Sequence, residues 1–135
     1  MQTMTNEIPI ELTLLIWAAA LTILQMLVSA LGSTSQIGLT TLAGNRDNLP
    51  ETTGWASRAQ RAHRNMLESI TVFAILVLSA NVMSISNDMT VLGAQLFFWG
   101  RVAFSIIYLA GIPWIRTAAW GVSLVGLILI FLQLI

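Results

Sequence analysis

The sequence predicts an all-α integral membrane protein, a bundle of four membrane-spanning helices. Of its 135 residues, 56% are hydrophobic and 9% charged, and the mean hydropathy is +0.81, far from the composition of a soluble domain of this size. The apolar residues gather into four runs, 12–31, 65–83, 91–112 and 118–135, each close to the ~20 residues that cross a ~30 Å hydrocarbon core. None of these runs alternates with period two, so barrel strands are excluded and helices must satisfy the backbone in the bilayer.

The first helix is expected over 8–32. Ahead of it, Met1 to Glu7 carries an acid and no base, whereas a cleavable signal peptide needs a positive leader, so this helix is expected to be retained. Residue 2 is not glycine and there is no cysteine, which leaves no acylation motif. A long loop follows over 33–56, where Gly38, Gly44, Pro50 and Gly54 lie among polar residues and favour turns. The second helix is expected over 57–83. Ser57 to Asn65 holds good helix formers behind a Ser or Thr cap, so this helix starts below the membrane surface and runs polar turns straight into lipid.

Ser84 to Asp88 reads as a short connector to a third helix over 90–112, and Pro113 beside Arg116 as a tighter turn into a fourth over 117–135. Short connections make antiparallel neighbours, so residues 1–135 read as one four-helix domain. Arg46, Arg58, Arg61, Arg64 and Arg116 all fall on one side of this layout, and Glu7, Glu11 and Asp88 on the other. Positive short loops stay in the cytoplasm, which puts the long loop inside and both termini outside.

Formal net charge is zero, which gives no reason to expect a nucleic-acid partner. Without cysteine the chain has no disulfide, thiolate metal site or thiol nucleophile, and thiol chemistry would need a borrowed thiol. His63 is the only histidine and suits a solvated or interfacial position better than a metal site. Gln25 and Gln95 read as hydrogen-bond partners between helices, and Gly100, Gly111, Gly121 and Gly126 as points of close packing without a strong small-xxx-small motif. Trp17, Trp99, Trp114 and Trp120 read as anchors or lipid contacts.

Charges at bilayer depth cost about 2.5–3.5 kcal/mol on insertion scales, and Glu68 and Arg101 are the two that fall there. Both are expected to face one cleft between the second and third helices, as a structural ion pair or as a pair that also holds a ligand. Arg61, Arg64 with Asn65, and Glu68 recur at helical spacing, as do Arg101, Ser105 and Tyr108, the one tyrosine. Guanidinium forks, an amide, a carboxylate and a phenol suit a small zwitterionic polycarboxylate. The bland readings also stand: arginines anchored on headgroups and Tyr108 in an interfacial aromatic belt.

The stretch Arg61-Ala62-His63-Arg64-Asn65-Met66-Leu67-Glu68 resembles the second-helix signature of the MAPEG family, the membrane-associated proteins in eicosanoid and glutathione metabolism. Gly100-Arg101-Val102-Ala103, Tyr108-Leu109 and Ile115-Arg116-Thr117 extend the resemblance over essentially the whole chain, with the short bacterial branch as the nearest likeness. The resemblance implies a homotrimer in the bacterial inner membrane, with glutathione near the cytoplasmic side between neighbouring subunits. Carried over by position, Arg64, Asn65 and Glu68 would contact glutathione beside Arg61. Arg101 would brace Glu68 or the tripeptide, and Tyr108 would reach in from the adjacent subunit. Arg116 matches the arginine that stabilises the glutathione thiolate in catalytic members, where a nearby cation lowers the thiol pKa. The implied partners are membrane lipids, further copies of the chain, glutathione and a lipophilic electrophile, in a transferase or peroxidase reaction without a metal.

The chain also departs from the family pattern. Leu31-Gly32-Ser33-Thr34-Ser35-Gln36 carries no base where family enzymes usually have them at the exit of the first helix. Phe104 stands where the prostaglandin synthase has a histidine, Trp120 where it has a tyrosine, and Thr71 where a tyrosine often follows the glutamate. The alternative is therefore a non-catalytic membrane scaffold or lipid-binding protein on the same fold. A transporter fits less well, since no discontinuous helix or paired repeat offers alternating access.

Overall fold

Helix ends in this chain are set by a few residues with special backbone chemistry. A computed structural model describes residues 7–135, and in it five helices follow in order: α1 (Ile10–Ile37), α2 (Leu39–Ala43), α3 (Gly54–Val82), α4 (Asp88–Ala110) and α5 (Pro113–Leu134). Asn87 opens α4 with a capping box: its side chain accepts from the N–H groups of Met89 and Thr90, each at 3.0 Å, while Thr90 Oγ1 accepts from Asn87 N at 2.9 Å. Gly111 closes α4 at φ +82°. There Ile112 N donates to Ile107 O at 3.2 Å and Gly111 N to Tyr108 O at 3.0 Å, a Schellman motif that needs a residue free to adopt the left-handed region. Pro113 then starts α5 at its first position, where the missing N–H costs nothing.

The loop expected over 33–56 is shorter than the composition suggests. Nothing between Gly32 and Ile37 breaks a helix, so α1 continues to Gly38, and α2 occupies Leu39–Ala43. Helix α3 likewise begins at Gly54, so Ser57 lies in its first turn instead of capping it. The expectations for Met1 to Asn6 lie outside the described residues.

Four of the helices, α1, α3, α4 and α5, are long and apolar enough to cross a membrane. The 28 and 29 residues of α1 and α3 make rods of about 42–44 Å, against about 33–35 Å for α4 and α5. At one end α1 and α4 are level, because Glu11 in the first turn of α1 accepts from Thr90 Oγ1 at 2.7 Å and from Ser86 Oγ at 2.9 Å. The extra length of α1 and α3 therefore projects at the opposite end, where Arg46, Arg58, Arg61, Arg64 and Arg116 lie. In this stem Gly32 lets the helices meet: a Cβ there would lie 2.7 Å from that of Ala56. Gln36 and Thr53 exchange two hydrogen bonds across it, at 2.9 and 2.8 Å.

Helix α4 is the centre of the bundle. It packs most extensively on α5 and also touches α1 and α3, while α1 packs on α3 and does not reach α5. The α4–α5 seam is made of small residues: a Cβ on Gly93 would lie 2.6 Å from Gly126 O, one on Gly126 would strike Gly93 O, and Gly100 sits against Ala119 and Ser123. Ala119, Ser123 and Gly126 thus form a small-residue stripe that a search for glycine pairs overlooks. Gly121 faces open space and Gly111 is a cap, so the close-packing role expected of all four glycines belongs to Gly100 and Gly126, with Gly93 added. In the middle of the bundle Phe73 of α3 stacks on Phe97 of α4 with ring centroids 4.1 Å apart, within a core that includes Met66, Val77, Ala94 and Ile130.

Candidate ligand site at the arginine-rich end

The third helix of the bundle carries a buried stripe of Thr90, Ala94, Phe97, Arg101 and Phe104, spaced four, three, four and three residues apart as a core-facing seam requires. Arg101 lies on that seam and is 0% exposed. None of its three guanidinium nitrogens has a hydrogen-bond partner. Its guanidinium carbon instead sits 4.2 Å from the centroid of the Phe104 ring.

From Arg101 a ladder of rings and cations climbs to the surface. Phe104 meets Tyr108 edge to face at 5.3 Å. Arg116, in the first turn of α5, places its guanidinium carbon 4.4 Å from the Tyr108 centroid. From α3, Arg61 Nε donates to the Tyr108 hydroxyl at 3.0 Å, and Ser57 Oγ on the preceding turn steadies the same guanidinium. Arg58 is used differently, since its Nε donates to Leu109 O at 3.1 Å and so caps α4. Three arginines thus gather around two aromatic rings, and among the described residues none of the three donates to a carboxylate.

The expected pairing of Glu68 with Arg101 is not formed. Glu68 is exposed on the outer face of α3 together with Arg61 and Arg64, while Arg101 is enclosed. Helical spacing did put Glu68 beside Arg64 on one face, but the glycine seam turns α4 so that Arg101 points into the core. Asn65 is half-buried beside them, with Oδ1 unpartnered. Tyr108, which the family resemblance draws from a neighbouring subunit, already meets Arg61 within one chain. Gln25 behaves as expected, donating to Ser105 on α4 at 2.7 Å. Gln95 does not: it accepts from Trp99 on its own helix at 3.0 Å.

On the other side of α3 lies a cavity of about 790 Å³, between the stem and the segment that carries α2. Arg46, Arg61, Arg64 and His63 line it together with Glu51, Ser33 and Gln60, so cations outnumber carboxylates on its wall. Arg61 and Arg64 belong to both this cavity and the outer face that carries Glu68. His63 is half-buried with Nδ1 unpartnered. Two contributors were missed by sequence reasoning. Phe104 counted only as a departure from a family pattern, although its place on the same stripe as Arg101, three residues on, already put the two in contact. Ser57 enters the sequence reading only at the start of a helix with a Ser or Thr cap, although its spacing of four from Arg61 is the signal for a side-chain contact; Thr53 holds the cap position.

The group requirements of glutathione can be tested against this end of the molecule. Two carboxylates call for cations, and Arg61, Arg64 and Arg116 carry no carboxylate partner within hydrogen-bond reach among the described residues. An ammonium finds the exposed Glu68, while Asn65 Oδ1 beside it is unpartnered and enclosed. The residues present fit. Residues 12–135 match the family model described as the MAPEG family. No curated protein and no solved structure matches the chain significantly.

Proposed function

The chain belongs to the MAPEG family of membrane proteins, and from that premise we propose that it binds glutathione at the arginine-rich end and presents its thiolate to lipophilic electrophiles. The observation that carries this reading is Arg101. A desolvated cation–π contact contributes about 2 kcal/mol, whereas burying an unpaired ion costs several kcal/mol even after relaxation. One chain alone therefore leaves the site with an unmet demand for negative charge, and the Phe104–Tyr108 ladder links that demand to Arg61 and Arg116 at the rim.

In this reading Arg61 and Arg64 hold carboxylates, Glu68 takes the ammonium, and Asn65 turns its amide outward to meet a peptide edge. Arg116 sits over the Tyr108 ring, where its charge lowers the pKa of a thiol placed beside it. Exposure of Arg61, Arg64 and Glu68 in the single chain fits a site completed by a second copy, in a homotrimer. The arginine-rich end then faces the cytoplasm of a bacterial inner membrane.

A non-catalytic scaffold or lipid-binding role is the second reading. It is favoured by the exit of α1, where Ser33 and Gln36 are engaged with Gln60 and Thr53 and no base is present to clamp a carboxylate. Calorimetric titration of the detergent-purified protein with glutathione separates the two. Binding that disappears in Glu68→Ala while the assembly persists supports the glutathione reading, and absence of binding up to millimolar glutathione ends it.

A further inference from the structure

Residues 38–53 form an arm that leaves α1 at Gly38, where φ is +98°. The arm is fastened to α3 through Thr52, whose Oγ1 donates to Gln60 Oε1 at 3.0 Å. Gln60 Nε2 in turn donates to Ser33 Oγ of α1 at 2.5 Å. The 790 Å³ cavity lies between this arm and the stem, at a volume ordinary for a ligand pocket.

Its wall changes character along the bundle axis. Arg61 bonds to Tyr108 near the end of α4, and α5 starts at Pro113, so the cavity's arginines lie where the apolar rods end and lipid headgroups begin. The bond from Gln60 brings Ser33 to the same level. Met26, seven residues earlier on α1 and also on the wall, is then about 10 Å deeper, and it is 50% exposed. The wall is therefore cationic at headgroup level, and apolar and open to lipid beneath.

Arg46 is held ready for an anion. It stands in the left-handed region at φ +61°, which is unfavourable for a residue with a Cβ, beside Gly44 and Asn45, which adopt that region at less cost. Its Nε donates to Leu42 O at 2.6 Å. The side chain is thereby pinned, with two guanidinium nitrogens left to take a ligand. Among the described residues neither Arg46 nor Arg64 donates to a carboxylate, although Glu51 shares the wall.

Such a wall fits an anion with a hydrocarbon tail. Guanidinium forks take phosphate oxygens pairwise, Ser29 and Thr34 present hydroxyls between the two zones where a glycerolipid has its ester oxygens, and the deeper wall takes a chain. We propose that the cavity holds an anionic glycerophospholipid, its phosphate on Arg46 and Arg64 and an acyl chain passing Ala30 and Met26 into the bilayer. Arg64 also borders the outer face proposed for glutathione, whereas Arg46 belongs to the cavity alone, and occupancy is read without glutathione.

The test offers the full chain, purified in detergent, phosphatidylglycerol and phosphatidylcholine of the same acyl chains together, and counts the retained lipids by native mass spectrometry. One phosphatidylglycerol per chain should be kept, with a preference of about tenfold or more, since each arginine at the surface contributes about fivefold. Arg46→Gln should lower that preference about fivefold. Arg58→Gln, outside the cavity, should leave it unchanged. Ala30→Trp, which narrows the path of the chain, should reduce retention of both lipids. Neither millimolar inorganic phosphate nor oleate should displace the lipid. Equal retention of the two lipids, a preference unchanged in Arg46→Gln, or an equal loss in Arg46→Gln and Arg58→Gln would overturn the proposal. Displacement by phosphate would replace the lipid with a soluble anion, and displacement by oleate with a fatty acid, and either would overturn it too.

Discussion

At Arg101 the chain holds a cation that neither water nor a carboxylate reaches. Replacing such a group by an apolar side chain of similar length is commonly neutral or stabilising by about 1–4 kcal/mol. Arg101→Met should therefore leave thermal stability in detergent unchanged or raised, while glutathione binding is lost. A large fall in stability would mean that Arg101 is paired in the assembled protein. Tyr108→Phe removes the acceptor for Arg61 but keeps the ring under Arg116. It should weaken binding several-fold, in line with a hydrogen bond worth about 1 kcal/mol, and Tyr108→Ala should weaken it further. Spacing alone already put Arg61, Arg64 and Glu68 on one face, because helical periodicity is local. It could not separate Gln25, which bonds across to α4, from Gln95, which bonds along its own helix; that difference depends on how each helix is rotated in the bundle.

Rotation is decided at the scale of the element. Gly93 and Gly100 bring α4 so close to α5 that Arg101, next to Gly100, must lie inward, and the cleft expected between Glu68 and Arg101 cannot form by side chains alone. The seam makes a stability prediction. Gly126→Leu puts side-chain atoms against Gly93 O and Phe97 N, and such overpacking typically costs about 1–3 kcal/mol or more, measurable as a lowered unfolding temperature in detergent. Gly121→Leu meets open space in the single chain and should cost much less. At the start of α4, Asn87→Ala removes the capping box and should cost about 1 kcal/mol. The four apolar runs are legible as helices from composition, but the last starts at Pro113, in the stretch expected to be a turn ahead of a helix over 117–135. Other helix ends were not legible either, because α1 continues through Ser33 to Gln36 on helix geometry that polar composition disguises.

For the whole molecule, five arginines gather at the end where α1 and α3 project, together with Asp47 and Glu51, while Glu11 and Asp88 lie at the other end. The absence of cysteine makes topology directly testable. Asn48→Cys should be shielded from a membrane-impermeant maleimide in intact cells and Asp88→Cys should be labelled, and the reverse pattern would invert the orientation. The bundle axis brings the cationic cluster, the unpartnered Arg101 and the 790 Å³ cavity towards one end, where the proposed glutathione site would meet the lipid phase. Ultraviolet difference absorbance of the purified protein titrated with glutathione near neutral pH tests this most directly. A saturable thiolate band in the native protein, lost or strongly reduced in Arg116→Leu, is the result the account predicts. Saturable binding without thiolate, or a band unchanged in Arg116→Leu, would contradict it.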